Sequence, residues 1–153
     1  MREILFRAKI KDTDEWVEGY YAMMGKENLI RHYIVQNCAL TGLFSDPEEN
    51  MYFNDVEIDP ETLCQYTGLK DKNGNRIWEN DIVSVIFYDE IIYGSIKYGL
   101  YNNDLANEVS GSLGFYIDWE DKGNFLRKNI GCWKEELEYA GNIFDNPELL
   151  KGE

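Results

Sequence analysis

Basic residues are scarce in this chain: 15 Lys plus Arg stand against 29 Asp plus Glu, a formal charge of −14 over 153 residues. Duplex phosphates are held by Lys and Arg clusters whose release of counterions drives binding, and no such cluster occurs, so direct nucleic-acid binding is not expected. Histidine is scarcer still. His32 is the single one, and with Arg31 and Tyr33 beside it in a strand-like run it reads as structural rather than as the base of a Ser-His-Asp or Cys-His set. The three cysteines, Cys38, Cys64 and Cys132, are odd in number and widely spaced. Neither a disulfide framework nor a paired zinc site follows from them, and buried free thiols are expected. No run approaches the ~20 apolar residues of a membrane span, and the opening Met1-Arg2-Glu3-Ile4-Leu5-Phe6-Arg7 lacks the order of a signal peptide. A cytoplasmic protein without a membrane partner is expected. Phosphate-gripping glycine motifs are missing as well, since Gly111-Ser112-Leu113-Gly114 has no Lys beside it and reads as loop.

What is present is a chain that should fold: 44% hydrophobic and 14% aromatic, enough to bury roughly 70% of the surface its unfolded form exposes. The apolar pattern is mostly of period two. Ile4, Phe6, Ala8 and Ile10 line one face of a strand, and the polar run Lys11 to Glu15 turns the chain into Trp16 to Tyr21, which predicts a hairpin. Leu29 to Gln36 reads as another strand. Asp59-Pro60-Glu61-Thr62 has a capping Asp before Pro at the first helical position, with room for one short turn. Lys72-Asn73-Gly74-Asn75 carries Asn-Gly and predicts a two-residue type I′ hairpin between Gln65 to Thr67 and Arg76 to Trp78. Asp81 to Phe87 is strongly β-patterned, turns at Tyr88-Asp89-Glu90 and returns over Ile91 to Tyr98. Asn102 to Gly114 reads as loop and Phe115 to Trp119 as strand. Cys132 to Tyr139 has a helical content of Glu and Leu, and Asn146-Pro147 opens a terminal turn.

The architecture expected is mainly β: an N-terminal hairpin lobe over 1–58 and a small antiparallel roll or barrel over 59–153, with short helical turns. The core of the larger half is expected around Ile77, Trp78, Val83 and Val85.

From Ser45 to Glu61 every charge is negative. Asp46, Glu48, Glu49, Asp55, Glu57 and Asp59 form a candidate acidic interaction surface, with Asp55, Glu57 and Asp59 expected on one strand face and Val56 and Ile58 on the other. Such carboxylates serve as plain solubilising charge, attract a basic protein, or stand in for phosphates. Catalysis or metal binding by them would need a desolvating cleft. A Ca²⁺ loop beginning at Asp71, with Asn73 and Asn75 at offsets 3 and 5, fails because Arg76 stands where Gly is needed and Ile82 where Glu should close the cage. No cofactor is expected. The aromatic residues suit core and subunit packing better than base stacking, which normally comes with a positive groove.

Three blocks carry a family resemblance: Met1 to Ala8; Gln65-Tyr66-Thr67-Gly68-Leu69-Lys70-Asp71-Lys72-Asn73-Gly74, continuing through Ile77 to Glu79 and Asp81-Ile82-Val83; and Gly141-Asn142-Ile143-Phe144-Asp145-Asn146-Pro147-Glu148-Leu149-Leu150. In their order and spacing these resemble the YopX family of phages and prophages of low-GC Gram-positive bacteria. The resemblance implies a mainly β fold whose C-terminal part looks like an SH3-type roll, a homo-oligomer, and no established activity. Asn80 stands where the family pattern usually has Gly, and Asn tolerates the left-handed region better than most residues. The motif residues Tyr66, Thr67, Gly68, Asp71, Asn73, Gly74, Ile77, Asp81, Gly141, Asn142 and Pro147 read as scaffold rather than active site.

The function expected is that of a phage- or prophage-encoded, non-catalytic accessory protein that associates with itself and with another host or phage protein. The alternative is an acidic nucleic-acid mimic that occupies a host protein's DNA-binding surface.

Overall fold

The structure is a computed structural model that describes residues 3–26, 28–36, 54–102, 111–119 and 126–151. It is mainly β, every strand pairing among the described residues is antiparallel, and the chain divides into two compact units, Met1–Gln65 and Tyr66–Glu153.

In the first unit, β1 (Phe6–Lys9) and β2 (Trp16–Lys26) form the expected hairpin. Asp12 turns it at φ 60°, a conformation that a short polar side chain tolerates. β3 (Leu29–Gln36) pairs with β2, and β4 (Asn54–Glu57) pairs with β3. On the other side of β1 lies the start of β5 (Cys64–Lys70). Alternation points Ala8, Val17 and Ile34 to one side, where with Ile58 they form a buried cluster sealed by Phe6, Tyr21, Val56 and Leu63. The Pro60–Thr62 turn is a single 3-10 turn; the Asp59 side chain caps it by accepting from the Glu61 N–H at 3.0 Å.

In the second unit, the later residues of β5 pair with β6 (Arg76–Trp78). A second sheet follows, ordered β10-β7-β8-β9, from β7 (Asp81–Phe87), β8 (Glu90–Asn102), β9 (Gly111–Asp118) and β10 (Glu138–Asn142). Its buried face gathers Ile77, Val83, Val85, Ile92, Ile96, Ile117, Trp119 and Leu137. Trp78 is buried too, with its ring 5.3 Å from that of Tyr66. The four residues expected at the core are therefore all inside.

Three sequence expectations are corrected. Asn73-Gly74 does not form a type I′ turn. Only Gly74 has positive φ, +86°, and the Gly74 N–H donates to the Asp71 carbonyl at 3.0 Å, which makes a type I turn from Asp71 followed by a left-handed glycine. Positive φ at two successive positions occurs instead at Tyr88 and Asp89, between the paired Phe87 and Glu90. The Cys132 to Tyr139 stretch is not a helix: Ile130–Cys132 is a 3-10 turn, Trp133 to Glu136 are turns, and β10 begins at Glu138. Its Glu and Leu content favours helix only weakly, and pairing of Glu138 and Tyr139 with Ser84 and Val83 of β7 overrides it. Finally, Asn102 and Gly111 to Gly114 are strand rather than loop, because β8 and β9 stay paired out to Asn102 and Gly111.

Candidate interaction surfaces

The acidic candidates are only partly gathered. Asp46, Glu48 and Glu49 lie outside the described residues. Asp55 and Glu57 sit on β4 opposite Val35 and Tyr33, on the face away from the buried Ile34–Val56 pair. Asp59 is not on that strand face. It follows Ile58 past the strand end, and its carboxylate is committed to the 3-10 turn. Glu57 is not a bare charge either: its Oε1 accepts from Lys11 Nζ at 2.7 Å and Arg31 lies 3.8 Å from Oε2. The Lys11 hydrogen bond holds the Glu57 carboxyl below the usual range against a smaller opposing effect of burial, and the same bond raises Lys11.

Several motif residues of the second unit are hydrogen-bonded within it. The Thr67 hydroxyl donates to the Ile77 carbonyl at 2.7 Å and accepts from the Leu69 N–H at 3.2 Å. The buried Asp71 carboxylate, which the failed Ca²⁺ pattern would have aimed at an ion, accepts from the N–H groups of Asn73, Asn75 and Tyr139 and from the Asn75 side chain. Burial alone would raise its pKa, but those hydrogen bonds outweigh the effect and hold it below the ordinary carboxylate range. Asp81, fully buried, accepts from the Trp78 N–H at 2.8 Å, and Asn80 between them takes φ 64°. That is the left-handed region, which Asn tolerates better than most residues. Asn142 accepts from the N–H groups of Phe144 and Asp145 and donates to the Asp145 carboxylate. Asn146 does not cap the Pro147–Leu150 turn; its side-chain oxygen faces the Asn142 N–H at 3.4 Å instead.

His32 is engaged across the β2–β3 ladder, its Nδ1 2.6 Å from the Tyr21 hydroxyl. Among the described residues, no three His, Cys, Asp or Glu side chains gather as a metal cluster. Cys64 is buried as expected, Cys132 is exposed against expectation because its turn lies at the surface, and Cys38 lies outside the described residues.

Sequence reasoning missed the apolar surfaces. The β2–β3 hairpin carries exposed Met23 and Ile30 on the face that continues from Ile34, and exposed Met24 and Leu29 on the reverse face. Exposed apolar residues on both faces of one ribbon are unusual for a strand pair that only covers a core. The signal was in the sequence: Tyr20 to Met24 is apolar at both parities, which a one-sided strand does not need. Leu100 and Leu113, directly paired on β8 and β9, are 78% and 67% exposed; Leu113 falls in the stretch that reads as loop, and Leu100 lies between that stretch and the strand read to Tyr98.

These features define a protein of two β units, antiparallel throughout the described residues, whose hydrogen-bonded polar residues build turns and whose exposed surface includes apolar patches. A family model for the YopX protein matches residues 5–151. The chain belongs to the YopX family. The crystal structure of protein EF1440 from Enterococcus faecalis is similar at 23% identity over 98% of this chain and 99% of that one, with a TM-score of 0.46. The comparison with curated proteins finds no match. No helix among the described residues is long and apolar enough to cross a membrane.

Proposed function

We propose that the protein is a phage- or prophage-encoded accessory protein of the bacterial cytoplasm, non-catalytic, that associates with itself and binds another protein. The observation that carries this reading is the pair of uncovered apolar surfaces, Met23, Met24, Leu29 and Ile30 on the β2–β3 hairpin and Leu100 with Leu113 on β8–β9. Apolar side chains left in water gain free energy when a partner covers them, and flexible methionines adapt to more than one contact shape. The family membership supports the reading without adding an activity to it. Glu57 and Asp59 are already committed to Lys11 and to the 3-10 turn, so the acidic-mimic reading has less behind it.

Light scattering tests self-association; a strict monomer at roughly tens of micromolar removes that part. For the second part, a host pull-down is run with the wild type and with Met23→Lys/Ile30→Lys across a range of salt. A band captured by the wild type, lost by the variant and retained in high salt supports the apolar reading. A band that the variant keeps and that high salt releases supports the mimic instead.

A further inference from the structure

The outer edge of β9 carries a more specific inference, which rests on the self-association just proposed. β9 ends the sheet order β10-β7-β8-β9, so among the described residues one of its edges has no strand beside it along Gly111 to Gly114. Which groups point outward is fixed by one bond. The Ile117 N–H donates to the Lys128 carbonyl at 2.8 Å, away from β8. Backbone direction alternates along a strand, so the N–H and C=O groups of Gly111 and Leu113 point to that same outer edge. The 128–130 segment meets β9 through the Tyr116–Asn129 bridge, at the opposite end from Gly111.

The side chains of this edge are as telling as its backbone. On one face the rows run from buried Ile96–Ile117 through Tyr98–Phe115, with rings 5.1 Å apart, to exposed Leu100–Leu113. The apolar stripe is the core continued into water. From Gly111 to Ile117 the strand holds no Asp, Glu, Lys or Arg and no Pro. Natural edges are usually blunted by such residues to prevent pairing, and this one is not.

We propose that β9 pairs antiparallel with β9 of a second copy about a two-fold axis at Ser112, joining two four-stranded sheets into one. Gly111 of each copy then opposes Leu113 of its mate, and these pairs exchange four main-chain hydrogen bonds. Gly111 leaves open space there: a Cβ built on it meets nothing closer than the Asn102 side chain at 3.7 Å. The mate's Leu113 fills that space, in the row of Gly111 and Asn102 and diagonal to Leu113. Charge selects the occupant. The chain carries −14, so two copies repel wherever their acids face each other, and contact costs least where there are none. A basic protein finds no carboxylate on this edge and a nucleic acid finds no cation, whereas an identical edge matches it in backbone, polarity and shape. The pairing is isologous, so it closes at a dimer through this surface.

Light scattering and amide hydrogen exchange on the full chain test it. The wild type is expected to dimerise, and the Gly111 and Leu113 amides to slow by about tenfold or more as concentration rises through the transition. Leu113→Lys places a like charge beside the axis in both copies and is expected to give a monomer with an unchanged far-ultraviolet spectrum. Ile86→Lys, at an equally bare position on the opposite face of the sheet, leaves the dimer intact. A dimer that survives Leu113→Lys, or exchange at Gly111 and Leu113 that ignores concentration, overturns the β9 assignment and leaves self-association standing. A monomeric wild type overturns both. If Leu113→Lys fails to fold, the wild-type exchange data decide alone.

Discussion

Asp71 and Tyr139 are 68 residues apart, and the carboxylate of the first accepts the backbone N–H of the second at 3.1 Å. That bond ties the β5–β6 turn to β10, and a parallel link runs beside it from the Lys72 N–H to the Leu137 carbonyl at 3.0 Å. Four donors converge on one buried carboxylate. An isosteric amide retains the shape but turns two of its own hydrogens toward those donors. Asp71→Asn is therefore expected to destabilise the protein by about 3 kcal/mol, read as a lower midpoint in urea unfolding followed by tryptophan fluorescence.

The same carboxylate sets an acid limit. Its folded pKa lies below the unfolded one, so its stabilisation is present in full above the ordinary carboxylate range and is lost as pH falls through the folded value. Stability of the wild type measured from pH 7 downward should fall more steeply in that window than stability of Asp71→Asn. Parallel acid limbs in the two proteins would show that Asp71 is not the group responsible.

Much of the fold could be read from residues whose local preference and tertiary fate agree. Leu29 to Gln36 is β-branched and aromatic, and it is a strand with those bounds. Ile77, Trp78, Val83 and Val85 read as core and are core. Misreadings arose where a distant partner decided. Glu138 and Tyr139 become strand because β7 offers an edge, and Asn73 leaves the left-handed region because Asp71 takes its N–H at 2.9 Å and favours a type I turn. The interaction surfaces were less legible still. A side chain is bare or covered according to what packs on it, and sequence shows only that Tyr20 to Met24 is apolar at both parities.

Backbone strain separates three positions, Gly74 and Tyr88 in turns and Gly141 in β10. Gly74 sits at φ +86°, and a Cβ added there would meet nothing within 4 Å, so Gly74→Ala carries the left-handed penalty alone, about 1 kcal/mol. Gly141 differs, because a Cβ there would overlap the Asn146 side chain that faces the Asn142 N–H; Gly141→Ala should cost more, about 2 kcal/mol. Tyr88 is the converse case. It holds φ 50° with its ring 88% exposed, so Tyr88→Asn is expected to stabilise the hairpin by about 0.5 kcal/mol, less whatever its edge contact with Phe87 contributes. Urea midpoints in the order Tyr88→Asn, wild type, Gly74→Ala, Gly141→Ala would bear out the ranking.

Lys11 and Glu57 give a second pH signature, of opposite sign at its two ends. The lowered Glu57 contributes above its unfolded pKa and loses that contribution as pH falls through the folded value; the raised Lys11 contributes below its unfolded pKa and loses it as pH rises through the folded one. Both groups face water, so salt weakens the pair. In Lys11→Met the Glu57 carboxyl resonance is expected to titrate at higher pH than in the wild type, and added salt should narrow the difference between the two. An identical Glu57 titration in both proteins would remove the pair.

The two described thiols report on different events. Cys132 ends an exposed 3-10 turn, whereas Cys64 is fully buried, donates to the Thr62 carbonyl at 3.2 Å and stands opposite Arg7 in the β1–β5 ladder. Iodoacetamide should modify Cys132 in the native protein directly. Cys64 can react only after that ladder opens, and its labelling is expected to be slower by on the order of a thousandfold or more in buffer. Dilute urea should speed Cys64 and leave Cys132 almost unchanged, with the sites distinguished by peptide mass mapping. The urea dependence then measures how much surface the first unit exposes when it opens. Equal rates at the two thiols in buffer would mean that β1 and β5 separate freely, and the first unit would lose the strand pairing that joins its two ends.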